Sequence, residues 1–203
     1  MTRLPATNPG NPAPATDLIP FGTGLGRRRA TSATAATTPE AELEFARNLL
    51  AAEARAVQSL GSGLGASFHQ AIDLVVQCAD RGGIVLVSGL GKSGLIGQKI
   101  SATLASLGIP SHFVHPAEAA HGDLGRFRAA DVCILISNSG TTAETINLAA
   151  LLHQDGLPLI GICVGTSDAS SPLERLCDPV LALGVAAGAV DGDYSPAPTC
   201  STT

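Results

Sequence analysis

Two short polar turns, each directly after an apolar run, hold the side chains best suited to binding a phosphate. Residues 89–94 read Gly-Leu-Gly-Lys-Ser-Gly and follow the apolar residues 84–87. Residues 137–142 read Ser-Asn-Ser-Gly-Thr-Thr and follow the apolar residues 132–136. Helix-like sequence comes after each turn, so both turns are expected at the carboxyl ends of parallel strands, where backbone N–H groups and hydroxyls favour anions. These turns predict a site for a phosphorylated small molecule.

The first turn departs from two better-known nucleotide-binding motifs. A Walker A loop has a glycine five residues before the glycine of Gly-Lys-Ser, and Leu86 stands at that place. A dinucleotide fingerprint has an acidic residue at the end of the second strand, where this chain has His115 and Pro116. ATP and NAD are therefore disfavoured as ligands. A tight turn without a ligand remains the alternative for this segment.

The second turn holds more hydroxyls than the capping of a helix requires. Ser137, Ser139 and Thr142 lie within six residues, together with Gly140. Capping alone needs one side-chain oxygen. Three hydroxyls beside backbone amides form a compact nest of donors, which suits a dianionic phosphate monoester.

The segment between the two turns, residues 115–125, places two histidines and two acidic residues among small residues. They are His115, Glu118, His121 and Asp123. Each one alone is more typical of a surface or capping group, but together they predict a polar wall beside the same crevice. A His/His/Asp metal site with His121 as a ligand is an alternative, although the spacing matches no standard metal motif. We therefore predict no metal.

Apolar runs alternate with helix-like sequence from residue 84 onward, and this alternation defines the predicted fold. Strands are predicted at residues 84–88, 111–114, 132–136, 159–164 and 179–183. Helices are predicted at residues 39–60, 66–78, 93–107, 117–120, 143–154 and 172–177. Continuous β-branched strands separated by helices indicate a parallel sheet covered on both faces. The fold class is therefore α/β, a three-layer α/β/α sandwich with a five-stranded parallel sheet of flavodoxin-like character.

The composition divides the chain into a tail and one domain. Residues 1–39 are rich in Pro, Thr, Ala, Gly and Asn and are predicted to form a disordered extension. Its three consecutive arginines, residues 27–29, are read as part of a solvated tail. Residues 40–203 are predicted to form the domain. Residues 196–203 resemble a loop and the N-cap of a further helix, so the domain is expected to lack its C-terminal helix.

Charge, aromatic content and cysteine spacing exclude several functional classes. The net charge of −5, with 3% aromatic residues and no tryptophan, argues against a nucleic-acid partner. The five cysteines show no Cys-x-x-Cys spacing, which indicates a reducing compartment without disulfides or zinc. No secretory signal and no apolar stretch of about 18 residues occurs. We predict a cytoplasmic protein without membrane contact, and the low charge content (14%) indicates surface covered by other subunits.

Four segments of the chain resemble the sugar isomerase (SIS) superfamily and, within it, the arabinose-5-phosphate isomerases. Two are residues 89–94 and residues 136–144, Ile-Ser-Asn-Ser-Gly-Thr-Thr-Ala-Glu; the Ser-x-Ser-Gly-x-Thr element is shared by SIS domains generally. The other two are specific to this branch: residues 115–125, His-Pro-Ala-Glu-Ala-Ala-His-Gly-Asp-Leu-Gly, and residues 197–203, Ala-Pro-Thr-Cys-Ser-Thr-Thr. The resemblance runs from about residue 42 to the end.

The resemblance implies a reversible isomerisation of D-ribulose 5-phosphate and D-arabinose 5-phosphate through an enediol, a step that feeds Kdo and lipopolysaccharide synthesis. It implies no cofactor and a homotetramer with active sites between subunits. By the family pattern the residues that hold the substrate phosphate are Ser93, Ser137, Ser139 and Thr142. Further substrate-binding positions are Gly91, Asn138, Gly140 and Glu118. The catalytic residues carried over are Lys92, which would stabilise an enediolate, Glu144 as the carboxylate and His121 as the histidine lining the site.

The chain also departs from the family pattern. Residues 187–189 read Ala-Gly-Ala where family members commonly have Lys-Glu-Ala, so an active-site carboxylate is missing. Asp191 and Asp193 lie close, beside a two-residue insertion. The family also has a helix with a catalytic histidine after the Ser-Thr-Thr motif, and often tandem CBS domains, which this sequence does not contain. Two interpretations stay open: an isomerase completed by a neighbouring subunit, or a non-catalytic sugar-phosphate-binding module or truncated inactive isomerase.

Overall fold

A computed structural model of the chain describes residues 38–164 and 170–183. Several expectations concern residues outside these ranges. They are the disordered extension, the Ala-Gly-Ala segment 187–189, the neighbouring Asp191 and Asp193, and the branch-specific segment 197–203. The structure therefore bears on the two turns, on the segment between them and on the sheet that positions them.

Eleven helices and strands and one short 3-10 helix make up the described part of the chain. The helices are α1 (Pro39–Gly63), α2 (Ala66–Asp80), α3 (Lys92–Ser106), α4 (Pro116–Ala120), α5 (Ala143–Gln154) and α6 (Pro172–Leu176). The strands are β1 (Val85–Gly89), β2 (Ser111–Phe113), β3 (Val132–Ile136), β4 (Leu159–Cys163) and β5 (Val180–Ala182). Each predicted element is present, with ends that differ by three residues or fewer. The 3-10 helix Asp123–Arg126 was not predicted, because one turn is too short to give a periodic pattern.

The five strands form one parallel sheet with the order β2-β1-β3-β4-β5. This is the flavodoxin-like order, in which ligands bind where the order reverses, between β1 and β3. The register pairs Val85 with Val132 at one end and Gly89 with Ile136 at the other. The predicted fold class is thereby confirmed, and the two polar turns follow the two strands that flank the reversal.

Two apolar clusters lie on opposite faces of the sheet. Side chains alternate along a strand, so Leu86 and Leu135 face one way while Val85, Val87 and Ile134 face the other. On the first face they pack against α4, α5 and α6. On the second face they pack against α2 and α3. The helices that follow the two turns therefore cover opposite faces, as expected at a topological switch point.

A buried carboxylate holds the start of β1 beside β3. Asp131 is 1% exposed and immediately precedes β3. Its carboxylate accepts hydrogen bonds from the backbone N–H groups of Ile84 and Arg128, both at 2.8 Å. Because Ile84 leads into β1, these bonds fix the register in which the two turns come together at the opposite end.

The apolar stripe of α1 lies at the surface of the single chain. Leu43 is 55% exposed and Leu50 is 65% exposed, while Ala56 is the one buried residue of this helix. The stripe continues on α2, where Ile72 and Val76 are also exposed. The apolar side of this helix therefore does not reach the core of the chain.

Four free cysteines, Cys78, Cys133, Cys163 and Cys177, lie buried in the described part of the chain. Burial, and to a lesser degree the nearby Cys163, raises the pKa of the Cys177 thiol from 9.0 to about 12. Burial also raises the pKa of Cys78, Cys133 and Cys163. The folded state therefore holds these thiols protonated where an unfolded chain begins to ionise them.

We expect the protein to lose stability above pH 9 because of these thiols. A folded-state pKa above the unfolded value adds stability that is complete below the unfolded pKa, near 9, and is lost as the pH rises towards 12. The urea midpoint is therefore expected to be lower at pH 10 than at pH 8. The variant Cys177→Ala is the control and is expected to lose less between the two pH values. An equal loss in both proteins would contradict the assignment to the thiols.

Candidate functional site

The two polar turns meet at the carboxyl ends of β1 and β3. A Cβ atom placed on Gly89 would lie 3.0 Å from the carbonyl oxygen of Ile136 and 3.1 Å from the carbonyl carbon of Ser93. The end of β3 and the first turn of α3 therefore both press against the same glycine. This contact places the start of both turns at one point on the edge of the sheet.

Glycines allow α3 to begin close against β1. Gly91 precedes the helix with φ of 59°, a conformation that favours glycine. A Cβ on Gly94 would lie 2.6 Å from the carbonyl oxygen of Gly89, so the first helical turn packs directly on the strand end. Lys92 and Ser93 are the first two residues of the helix, the lysine exposed and the serine partly buried. Their backbone N–H groups belong to the positive end of the helix dipole.

In the second turn the hydroxyls form two pairs. Ser137, which is 2% exposed, shares a hydrogen bond of 2.9 Å with Thr142. Ser139 shares one of 2.8 Å with Thr141, and its Oγ also accepts from the N–H of Thr141 at 3.3 Å. The first pair braces the turn from inside, whereas the second pair lies exposed at the edge. Thr141 was absent from the predicted site residues, although it lies within the same hydroxyl-rich run.

Neighbouring elements fix the backbone of the second turn. The N–H of Val164 donates to the carbonyl of Asn138 at 2.8 Å, and the N–H of Leu173 donates to the carbonyl of Gly140 at 3.1 Å. Gly140 has φ of 64°, and a Cβ there would lie 2.2 Å from the Oγ of Ser171. The turn is therefore clamped between the end of β4 and the start of α6. Its exposed hydroxyls are presented by a rigid frame.

The start of α5 presents a carboxylate at the same edge. Thr142 is the N-cap residue of α5, but its side chain bonds to Ser137 instead of capping the helix. Glu144 lies in the first turn and is exposed. The amino-terminal ends of α5 and α3 therefore both lie beside the reversal of strand order, and each has an exposed charged residue in its first turn.

The segment after β2 was predicted to form a polar wall beside this edge. Glu118 and His121 are exposed, and neither side chain makes a hydrogen bond or ion pair with another described residue. Asp123 forms an ion pair with Arg126 at 3.0 Å. Both residues belong to the 3-10 helix, so this carboxylate has a local structural partner. Helix α4 packs on α5, so Glu118 and His121 lie on the element beside Glu144. Their direct contact with the two turns stays a prediction.

The described residues were also searched for a metal site, a polar cavity and a membrane-spanning helix. No three His, Cys, Asp or Glu side chains within residues 38–164 and 170–183 are grouped to hold a metal ion. A cavity of about 360 Å³ lies between the α1–α2 junction and β5, and its lining carries no titratable side chain. Among the same described residues, no helix combines the length and apolarity needed to cross a membrane.

Fold and site together define a doubly wound α/β domain with two polar turns at its switch point. The sequence model of the SIS domain family matches residues 79–198, which include both turns. The chain belongs to the SIS domain family. Family membership was predicted from the motifs and is confirmed.

Named relatives narrow the similarity within that family. The arabinose 5-phosphate isomerase KdsD of Pseudomonas aeruginosa is 42% identical over 161 residues, which cover 79% of this chain and 47% of the relative. The arabinose 5-phosphate isomerase KpsF of an Escherichia coli O6:H1 strain is 44% identical over 158 residues, 77% of this chain and 46% of the relative. The chain thus spans about half the length of the curated relatives it matches.

Solved structures share the fold and much of the sequence. An E. coli CFT073 protein in complex with A5P has a TM-score of 0.70 and 36% identity, covering 81% of this chain and 84% of the other. A Bacteroides fragilis protein involved in capsule formation has a TM-score of 0.69 and 38% identity, covering 79% of this chain and 82% of the other.

Proposed function

We propose that the protein binds a pentose phosphate and interconverts D-ribulose 5-phosphate and D-arabinose 5-phosphate. The observation that carries the proposal is the meeting of the two turns at Gly89, between Ser93 and the end of β3. The names of the relatives and the A5P complex of a 36% identical protein support this substrate. A phosphate held at this edge leaves the sugar carbons to extend along the crevice.

In the proposed complex the phosphate lies between the amino-terminal ends of α3 and α5. Ser93 and the exposed Ser139 donate hydrogen bonds to it, with the backbone N–H groups of both helix starts. Ser137 and Thr142 already bond to each other, so they hold the turn and share in binding through that pair. Gly91, Asn138 and Gly140 shape the backbone around the anion, in keeping with the substrate-binding positions that the family resemblance implies.

The proposed chemistry moves one proton between two adjacent carbons of the sugar. Glu144 removes the proton from C1 of the ketose, and the carbonyl oxygen at C2 gains a proton, which gives the cis-enediol. Return of a proton to C2 and loss of one from the C1 hydroxyl gives the aldose. Lys92 stabilises negative charge on the enediolate oxygen, and His121 with Glu118 lines the crevice from α4.

A second candidate is a sugar-phosphate-binding module without turnover. The observation in its favour is Ala-Gly-Ala at residues 187–189, where the resemblance implies a Lys-Glu-Ala segment with an active-site carboxylate. In this case the two turns bind the same ligand, but the site has one carboxylate fewer for the proton transfer. The two candidates share the binding site and differ in catalysis.

The proposal also covers the location, the oligomeric state and the pathway of the protein. We propose a cytoplasmic homotetramer whose product enters the Kdo and lipopolysaccharide pathway, without nucleic-acid, membrane or cofactor partners. The exposed apolar residues of α1 and α2 support assembly with further copies. Light scattering of the purified chain tests the assembly; a monomer at micromolar concentration would contradict it.

One pair of measurements separates the two candidates. Calorimetry with arabinose 5-phosphate measures binding, and D-arabinose without the phosphate is the matched control ligand. A coupled assay for ribulose 5-phosphate measures turnover. Binding with turnover supports the isomerase, binding without turnover supports the module, and equal affinity for both sugars would contradict the phosphate site itself.

We expect Ser139→Ala to weaken the binding of arabinose 5-phosphate by about 1–3 kcal/mol, the loss of one hydrogen bond to a charged group. The fold should tolerate the change because Ser139 is exposed. Ser106→Ala, at the far end of α3, is the control and is expected to bind normally, since its hydroxyl bonds only to the Thr103 carbonyl. Calorimetric affinity of Ser139→Ala equal to that of the control would refute the assignment.

A further inference from the structure

Ser139 and Thr141 form the exposed hydroxyl pair of the second turn, and their hydrogen bonds limit what Ser139 can offer to a ligand. The two hydroxyl oxygens lie 2.8 Å apart, so one of the groups donates its hydrogen to the other. The Oγ of Ser139 also accepts from the backbone N–H of Thr141 at 3.3 Å. A serine hydroxyl has one hydrogen to donate and two lone pairs with which to accept. The direction of the shared bond therefore decides which of these remains for a ligand.

The shared bond has two possible directions. If Ser139 donates to Thr141, the serine has no hydrogen left, and the hydroxyl of Thr141 becomes the outward donor. If Thr141 donates to Ser139, both lone pairs of the serine oxygen are occupied and its own hydrogen is free. In this second arrangement Ser139 can only donate, like a backbone N–H group.

An anion at this edge favours the second direction. In that arrangement the Ser139 oxygen receives two hydrogen bonds, one from the N–H and one from the hydroxyl of Thr141. Hydrogen bonds in a chain polarise one another, so the hydroxyl that receives two is the stronger outward donor. In the first direction the oxygen of Thr141 receives a single bond from Ser139. A hydrogen bond to a charged group gains most from the more polarised donor.

We propose that Thr141 is a positioning residue for the phosphate: its hydroxyl and its backbone N–H both donate to Ser139 and direct the Ser139 hydrogen towards the anion. This inference rests on the proposed function, in which Ser139 donates to the phosphate. Thr141 acts through Ser139. Because the oriented serine hydroxyl can only donate, it suits the oxygen of a dianionic phosphate, which has no hydrogen to place. A sugar hydroxyl at the same point would need an acceptor for its own hydrogen.

A double-mutant cycle of Thr141→Val and Ser139→Ala, measured as calorimetric affinity for arabinose 5-phosphate, tests this role. Valine keeps the shape of threonine and removes the hydroxyl. We expect Thr141→Val alone to raise the Kd about three- to tenfold, the effect of one hydrogen bond. In the Ser139→Ala background the same change is expected to shift the Kd by less than about twofold, because the hydroxyl that Thr141 orients is gone. An equal effect in both backgrounds would overturn the proposal, since Thr141 would then act without Ser139.

Two further variants test whether the hydroxyl of Thr141 is responsible. Thr141→Ser keeps the hydroxyl and is expected to bind arabinose 5-phosphate like the unaltered protein. Thr103→Val is the matched control, because the exposed Thr103 hydroxyl donates to the Lys99 carbonyl at 2.8 Å within α3. Its affinity is expected to stay unchanged. The proposal is wrong if Thr141→Ser binds as weakly as Thr141→Val, or if Thr141→Val binds as tightly as the unaltered protein.

The same cycle with inorganic phosphate separates this proposal from the proposed function, because inorganic phosphate is the anion without the sugar. If the unaltered protein binds phosphate with the coupled pattern but does not bind arabinose 5-phosphate, the role of Thr141 stands and the proposed substrate is wrong. If arabinose 5-phosphate binds equally to every variant of the cycle, the substrate stands and the role of Thr141 is wrong. An unaltered protein that binds neither ligand would overturn both.

Discussion

Replacing Gly140 with alanine is expected to lower the free energy of unfolding by about 4 kcal/mol. Two effects add at this position. The backbone has φ of 64°, which a side chain disfavours, and the new Cβ would lie 2.2 Å from the Oγ and 2.6 Å from the Cβ of Ser171. The hydroxyl can rotate away, but the Cβ of Ser171 can move only with the backbone that starts α6. The measurement is chemical unfolding followed by circular dichroism.

Gly82→Ala is the matched control for this experiment. Gly82 has φ of 68° but no atom within 4 Å of its Cβ position, so it reports the cost of the backbone conformation alone. We expect about 1 kcal/mol there. If both variants lose the same stability, the clamp between the second turn and α6 does not exist as described. If Gly140→Ala binds arabinose 5-phosphate more weakly and Gly82→Ala does not, the clamp also holds the second turn in its binding geometry.

The exchange of Glu144 for glutamine is expected to reduce kcat for pentose-phosphate isomerisation by about 10²- to 10⁴-fold. Glutamine keeps the size of the side chain and removes the group that takes the proton. The KM is expected to change little, because the phosphate contacts lie on the two turns. The coupled assay that tests turnover gives both constants.

Asp155→Asn provides the control for a lost carboxylate on the same helix. Asp155 is exposed at the C-terminal end of α5, away from the strand reversal. Its replacement is expected to leave kcat unchanged. A Glu144→Gln variant with kcat within threefold of the unaltered protein would remove Glu144 from the proton transfer and leave it as a residue of the helix start.

Local sequence was enough to predict the elements and the fold class. Val132–Ile136 and Ala143–Gln154 were predicted with their observed bounds, because an uninterrupted apolar run and a clear helix start leave few alternatives. The parallel direction of the strands also followed from the alternation of strands and helices along the chain. The strand that each turn follows, and hence the edge of the sheet on which the turns lie, could be derived without the structure.

Long-range contacts could not be derived in this way. The sequence does not show that Gly140 packs on Ser171, because the two residues belong to different loops. Nor does it show that the apolar side of α1 stays exposed, since the same stripe would equally suit a buried helix. The pairing of Ser139 with Thr141 depends on the shape of the turn. These features need the packing of the whole domain.

A crystal structure of the protein with bound arabinose 5-phosphate tests most directly whether both turns bind the same phosphoryl group. We predict phosphate oxygens within about 3 Å of both the Ser93 and the Ser139 hydroxyls. A phosphate that touches only one of the two turns, or that binds away from the ends of β1 and β3, would contradict this account.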